Sequence, residues 1–495
     1  NIRAVILSHG HLDHIGAAPI LLEKLGYPVI VGRDLTLEMT KEKVEDRQKG
    51  ASKNMKMIRI KSLQDKLKFG AFEVEFFQIE HSIMDAVGII LKTPAGTIVH
   101  SGDWTLEKDR DNKPLLDYSF LSKLPRPTFL MMESLGAIDV RKSASQEEME
   151  KNLRELIANA PGRVIIGTFS SQIERVAFII ETAQRLNKQV ALDGYSMKTN
   201  IELAKNLGYI KASKKTLIGI NETTKLDDKK VVIICTGAQG EGEAVLSRII
   251  TGNHRYITLK KTDTVILSSS IIPGNERSIQ QLKDNLYRQC DNVIHGELME
   301  IHVSGHGNRQ DIIYMLKEIQ PDYFIPVYAY HYMLKEAAKL AERVGFDKNK
   351  IFVADNGQVI EIPVNGQPKL TDKRIPADYV LIDGPGVDSL NSVVLKDRLL
   401  MGNDGMLVLI VTLDKNTGLL KTNPDIISRG FIYMKENKEL VEKIREKVQK
   451  IAHGQDVSDQ DKISAVKENI KDKVGQFVYS KTGRRPMILP VVITV

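Results

Sequence analysis

Apolar residues in the first hundred positions come in short blocks, not long runs. The blocks at 2–7, 72–79, 87–92 and 97–101 have the length and composition of strands. The turn Thr93-Pro94-Ala95-Gly96 joins the last two as a hairpin. Ile15, Ala18, Leu21, Leu22 and Leu25 share one face at helical spacing, which predicts a helix over 15–25. From about 145 the rhythm changes. Ser145-x-x-Glu148 is a capping box opening a helix to about 158. Strands are expected at 163–169, 189–192, 231–236, 264–269 and 292–295. Helices are expected between them, at 171–186, from 197, at 244–250 and at 278–286. Such alternation builds parallel βαβ units around a core of their own.

After 301 one further α/β stretch ends in the turn Asp355-Asn356-Gly357. Residues 363–388 carry four prolines and several glycines, the composition of a linker. A last unit is expected from 392, with strands at 392–395, 406–413 and 418–421. Two amphipathic helices follow, striped by Val441, Ile444, Val448 and Ile451 and by Ile463, Val466, Ile470 and Val474, and then an apolar strand at 487–495. No internal repeat is visible.

At 495 residues the chain exceeds one ordinary core, and a prior of roughly 100–200 residues per domain suggests about three. Hydrophobic residues at 42% and charged residues at 27% exclude wholesale disorder. Two cysteines cannot build a disulfide framework, which fits a reducing cytoplasm. The longest apolar runs fall far short of the ~20 residues a membrane helix needs, so no membrane partner is expected. A net charge of +7 favours polyanionic partners only weakly. The chain starts at Asn1, without Met, directly on a strand, so an N-terminally truncated chain is expected.

The chemistry is concentrated in Ser8-His9-Gly10-His11-Leu12-Asp13-His14-Ile15-Gly16. His9 and His11, two apart at a strand end, point the same way and can grip one cation. Asp13 and His14 open the following helix and can grip a second. Two further ligands stand at strand ends: His81, and Asp103 in Ser101-Gly102-Asp103-Trp104. A carboxylate at Asp103 could bridge two cations roughly 3.5–4 Å apart, the two-metal arrangement for phosphoryl displacement.

This set of motifs resembles the metallo-β-lactamase superfamily, and the α/β insertion narrows the resemblance to the β-CASP nucleases, with the bacterial ribonuclease J family the nearest match from Asn1 to Val495. Similar stretches include Gly167-Thr168-Phe169-Ser170-Ser171, Cys235-Thr236-Gly237-Ala238-Gln239-Gly240-Glu241, Ser268-Ser269-Ser270-Ile271-Ile272-Pro273-Gly274-Asn275, His302-Val303-Ser304-Gly305-His306-Gly307, Pro424-Asp425-Ile426-Ile427-Ser428-Arg429-Gly430 and Arg484-Arg485-Pro486-Met487-Ile488-Leu489-Pro490. The family begins with further strands that are absent here.

The resemblance implies an α/β fold: a metallo-β-lactamase αββα sandwich missing its first strands, an inserted β-CASP parallel α/β domain and a small C-terminal α/β domain. The expected divisions are 1–144 and 301–362 for the sandwich, 145–300 for the insertion, 363–391 for a linker and 392–495 for an assembly domain. It also implies a zinc-dependent ribonuclease cutting single-stranded RNA, as a 5′-to-3′ exonuclease and an endonuclease, in mRNA decay and rRNA maturation. His9, His11 and His81 would hold one zinc and Asp13 and His14 the other, with Asp103 bridging. Asp13, Glu133 and His306 fall at catalytic positions; an imidazole held by a carboxylate can protonate a departing ribose oxygen. Backbone N–H groups of the Ser- and Gly-rich loops can cradle phosphates. Ser170, Ser269, His302, Ser304, Gly305 and His306 are the RNA-contacting candidates.

One departure touches the metals. Where the family has a further metal-binding His, this chain reads Pro326-Val327-Tyr328-Ala329-Tyr330-His331-Tyr332-Met333, which puts Tyr328 at the ligand position. A phenol of pKa ≈ 10 is a poor zinc ligand. The second zinc is then held more weakly, or His331 reaches in, or one metal serves alone. Tyr195 stands where the family usually has Arg. The C-terminal unit implies a homodimer or homotetramer. Two other readings stay open: a metallo-hydrolase of small esters, which would not need the domain-sized insertion, and a catalytically impaired RNA-binding or assembly subunit.

Overall fold

The computed structural model describes residues 2–109, 111, 113–140, 145–213, 215–380, 382 and 392–495. The chain divides into two compact units, Asn1–Ala377 and Asp378–Val495.

The first unit opens on a parallel sheet of Ala4–Ile6, Val29–Gly32 and Met57–Arg59. It faces a six-stranded mixed sheet in the order Tyr323–Val327, Thr128–Glu133, Gly96–His100, Val87–Thr93, Phe72–Gln78 and Leu67–Phe69. Val31, Ile60, Val74, Phe76 and Val87 fill the space between the sheets. Helices cover the outer faces: Asp34–Arg47 on one side, and Arg309–Ile319 and His331–Arg343 on the other. This is the αββα sandwich, with every strand that matters to the chemistry ending at one rim.

The insertion is an all-parallel six-stranded sheet ordered Leu217–Ile218, Gln189–Asp193, Val231–Cys235, Val164–Gly167, Thr264–Leu267 and Asn292–His295. Its central strands, such as Val-Val-Ile-Ile-Cys at 231–235, are buried on both faces, which is why they read as unbroken apolar runs. Helix Ile173–Arg185 buries Ile173, Val176, Ile179, Ile180 and Ala183 against them. The capping box holds: Ser145 Oγ accepts from Glu148 N at 3.0 Å and opens helix Gln146–Asn159.

In the second unit, Met406–Leu413 is flanked by antiparallel Asp425–Arg429 and parallel Met487–Thr494. Its alternating burial turns Leu407, Leu409, Val411 and Leu413 toward helices Lys438–Ala452 and Gln460–Thr482. Both expected stripes face this core, with Ile463 only partly buried.

The local reading needs four corrections. The helix expected over 15–25 is two, Leu12–Ile15 and Ala18–Lys24, because Pro19 sits in the first turn of the second and starts it afresh. The strand expected at 392–395 lies in helix Ser392–Asp404: the Val-Val pair is overridden by the helix formers that follow. At 418–421 only a single bridge, Leu413 to Leu420, forms after the turn that Asp414 closes. Within the expected linker, Lys369–Arg374 pairs with Gln358–Glu361 as a strand; residues 381 and 383–391 of that stretch lie outside the described residues.

Candidate metal centre

The strand Ala4–Ile6 delivers His9 to the rim, and the short helix Leu12–Ile15 begins at His11, so Asp13 and His14 occupy its first turn. His9 is fully buried. Its Nδ1 lies 3.0 Å from Ser8 Oγ, while its Nε2 is buried with no hydrogen-bond partner. An orphaned imidazole nitrogen is costly unless something else binds it. His81 follows strand Phe72–Gln78, and its Nδ1 donates to the Gly305 carbonyl at 2.6 Å. A carbonyl can only accept, so Nδ1 carries the proton and Nε2 keeps a free lone pair. That Nε2 stands 2.9 Å from His11 Nδ1. Fixing one ring nitrogen to free the other is how metal-binding histidines are oriented.

Asp103 follows strand Gly96–His100 and is buried to 2% exposure. Its Oδ2 is 3.2 Å from His14 Nε2 and 3.8 Å from His9 Nε2. Two donor sets result, His9–His11–His81 and His9–His14–Asp103, each with ligand atoms within 4.8 Å of one another. Burial, reinforced by the neighbouring imidazoles, pushes His9 far down and His81 to about 3. Burial likewise takes His11 down to about 4, against Asp13 and Asp103. These rings therefore stay neutral and available as ligands. Burial alone would raise Asp103, but the hydrogen bond and charge of His14 outweigh it and hold the carboxylate below its usual range. The donor chemistry and the orphaned Nε2 both fit a divalent cation such as zinc.

Glu133 ends strand Thr128–Glu133 and is buried. Its Oε1 accepts from His306 Nδ1 at 3.1 Å, its Oε2 from Trp104 N at 3.2 Å. The His306 ring lies 5.4 Å from that of His81. Burial opposes the charge on His306, but the Glu133 hydrogen bond, with Asp103 and Asp13, raises it to about 9. Hence an imidazolium stands beside the donor sets at neutral pH.

Tyr328 ends strand Tyr323–Val327 with a left-handed backbone, φ 53°. Its hydroxyl donates to Asp13 Oδ2, and its ring lies 5.0 Å from that of His14. Asp13 belongs to neither three-ligand set; its Oδ2 stands 3.5 Å from His14 Nε2. His331 does not reach in: its Nδ1 lies 2.8 Å from Asp355. Tyr195 is exposed and donates to Asp46 at 2.9 Å.

Of the loop candidates, Ser304 and Gly305 adjoin His306 and His81. Ser304 Oγ accepts from His306 N at 3.1 Å, and Ser304 and His81 line one cavity with Gln172 and Arg175. Arg175 Nη1 donates to His302 Nδ1 at 2.5 Å and to the Ser268 carbonyl at 3.1 Å. Ser269 Oγ accepts from Gln239 Nε2, and the Ser170 carbonyl from Asn200. Neither Ser170 nor Ser269 touches the donor sets. Arg175 escaped the sequence reading, and Gln239 entered it only as part of a family-like stretch with no role; the available signal was a charge on an otherwise apolar helix face, and an amide in a turn.

The metallo-beta-lactamase superfamily model matches residues 1–167, and that of the ribonuclease J beta-CASP domain matches 161–286. A Zn-dependent metallo-hydrolase RNA specificity domain matches 293–354, and the ribonuclease J C-terminal domain 393–495. The chain is 33% identical to ribonuclease J2 of Bacillus subtilis, covering 100% of this chain and 88% of that one. It is 34% identical to ribonuclease J 1 of Streptococcus pyogenes, covering 100% and 87%. A solved protein of unknown function from Enterococcus faecalis shares the fold, with TM-score 0.50 and 17% identity over 74% of this chain and 81% of that one.

Proposed function

The chain belongs to the ribonuclease J family, and from that premise we propose that it is a zinc-dependent ribonuclease that hydrolyses single-stranded RNA from the 5′ end and internally. A metal-dependent hydrolase acting on RNA is what the family and its domains carry. The observation that bears most weight is the convergence of two donor sets that share His9, whose buried Nε2 has no hydrogen-bond partner, next to an imidazolium held by Glu133.

His9, His11 and His81 would hold one zinc; His14 and Asp103, with Asp13, would hold a second. Bound there, the cations supply positive charge to polarise a phosphodiester and to activate water. The protein supplies the rest. Glu133 keeps a proton on His306, whose free ring edge can pass it to the departing 3′ oxygen of the ribose. Trp104 N and Ser101 Oγ fix Glu133 so that the proton is delivered from one position. Ser304 and Gly305 lie next to His306 and His81, and His302 is held by Arg175; all three would contact the RNA backbone, and Ser170 and Ser269, on loops of the insertion, would extend that path.

We place the activity in cytoplasmic mRNA decay and rRNA maturation, with the second unit assembling a dimer or tetramer. Both cysteines are free and buried, which suits a reducing compartment. No helix among the described residues is long and apolar enough to cross a membrane. A second reading, an RNA-binding assembly subunit with a weakened second metal position, draws on Tyr328 holding Asp13. Incubating the purified chain with 5′-monophosphorylated RNA and, separately, a lactone panel tests the proposal. RNA cleavage supports it, lactone turnover alone points to the small-ester hydrolase, and binding without cleavage points to the subunit.

A further inference from the structure

The segment that carries Tyr328 to the metal centre continues as Ala329-Tyr330-His331-Tyr332. Tyr330 is the residue before helix His331–Arg343, and Tyr332 stands in its first turn. Their rings are close to parallel, 12° between planes, with centroids 6.2 Å apart. Both are open to solvent, at 65% and 56% exposure. Among the described residues neither hydroxyl makes a hydrogen bond, so the pair is not there to satisfy a polar partner.

The mounting is firm although the rings are free. The Tyr330 carbonyl accepts from Met333 N at 2.8 Å and from Leu334 N at 3.1 Å, and Leu334 is buried beneath. His331, between the two tyrosines, lies 2.8 Å from Asp355, which Arg374 holds at 2.9 Å. A rigid pair of exposed aromatic faces costs little entropy when something stacks on it. Lys335 lies three residues beyond Tyr332, on the same helix face, where an ammonium can meet a phosphate.

Position decides what stacks. Tyr328 touches Asp13 and packs against His14. At ~3.3–3.6 Å of chain per residue, the Tyr330 backbone lies within about 7 Å of Tyr328 and that of Tyr332 within about 14 Å. A strand whose phosphodiester sits at the donor sets can therefore reach these rings with a neighbouring nucleotide. Single-stranded nucleic acid is recognised by such faces, because every base presents a π surface irrespective of sequence. We infer that Tyr330 and Tyr332 form a nucleobase-stacking platform beside the metal centre, which grips an unpaired base of the RNA next to the scissile phosphodiester. Double-stranded RNA, whose bases are already stacked and paired, would gain nothing from it.

The platform rests on the ribonuclease reading above, and the test separates the two. Fluorescence anisotropy is measured on the metal-loaded full chain with a short 5′-phosphorylated single-stranded oligoribonucleotide and with a set carrying one abasic site at each position in turn. For the wild type, an abasic site at one or two positions weakens binding about tenfold. Tyr330→Ala/Tyr332→Ala binds the intact RNA about tenfold more weakly and shows no further loss at those positions. Tyr330→Phe/Tyr332→Phe keeps the rings and restores both the affinity and the abasic penalty. A double-alanine variant that binds like the wild type, or that keeps the same abasic penalty, overturns the platform and leaves the pair as a surface for a protein. A wild type that binds no RNA at all overturns the ribonuclease reading and the platform with it.

Discussion

Glu133 Oε1 and His306 Nδ1 meet at 3.1 Å although 173 positions separate them in the chain. The contact closes because strand Thr128–Glu133 and the loop before helix Arg309–Ile319 are tied together by a bridge between Gly136 and Asn308. A buried carboxylate thus holds a proton on an imidazole at the lip of the donor sets.

That pair sets a pH dependence. Glu133 holds the His306 pKa up at about 9, and a proton donor works only below its pKa. Cleavage should therefore fall as pH rises through about 9. Glu133→Gln removes the charge, and the alkaline limb should move toward lower pH. His306→Ala should lose roughly 10²–10⁴-fold in kcat while the metal content is kept. Single-turnover rates across pH check both; an alkaline limb unmoved in Glu133→Gln would contradict the assignment.

The bridge can be broken without touching the side chain of Glu133 or His306. A Cβ on Gly136 would collide with the Gly307 carbonyl. Overpacking of this kind costs about 1–3 kcal/mol, so Gly136→Ala should lower the thermal midpoint and displace His306 from Glu133. Calorimetry and cleavage assays should show both losses with bound metal unchanged.

Tyr328 donates to Asp13 where an imidazole would be a ligand. Tyr328→His should add a donor and release Asp13, so that a second equivalent of zinc binds roughly tenfold or more tightly. Zinc titration with a competing chromophoric chelator reads this directly. Equal affinities in the two proteins would show that Tyr328 does not limit the second position.

The insertion also contains a buried ion pair. Arg163 Nε and Nη2 grip Asp263 at 2.9 and 2.6 Å, and Nη2 also donates to the Thr258 carbonyl at 2.7 Å. Asp263→Ala strands the guanidinium and should destabilise the insertion by about 3–5 kcal/mol. Urea unfolding followed by circular dichroism measures it.

How legible was this in the sequence? The cluster His9 to His14 is local, so spacing alone placed its imidazoles together, and the buried strands of the insertion announced themselves as unbroken apolar runs. The Tyr328 contact with Asp13 spans 315 positions, and only the fold creates it. Val393 and Val394 suggested a strand because β-branched residues favour one, yet the following Leu, Lys and Arg carry the helix Ser392–Asp404. Arg175 was not singled out, because its burial against His302 and the Ser268 carbonyl is a tertiary event that only the fold creates.

In the proposed function, His9, His11, His81, His14 and Asp103 gather the divalent cations on which phosphodiester cleavage depends. The most direct measurement follows bound zinc and RNA cleavage together while metal-stripped chain is titrated, with His9→Ala in parallel. The account predicts that stripped chain is inert, that cleavage returns in step with bound zinc, and that His9→Ala, which removes the residue common to both donor sets, binds little metal and stays inactive while folded. Cleavage by stripped chain or by His9→Ala at the wild-type rate would contradict it.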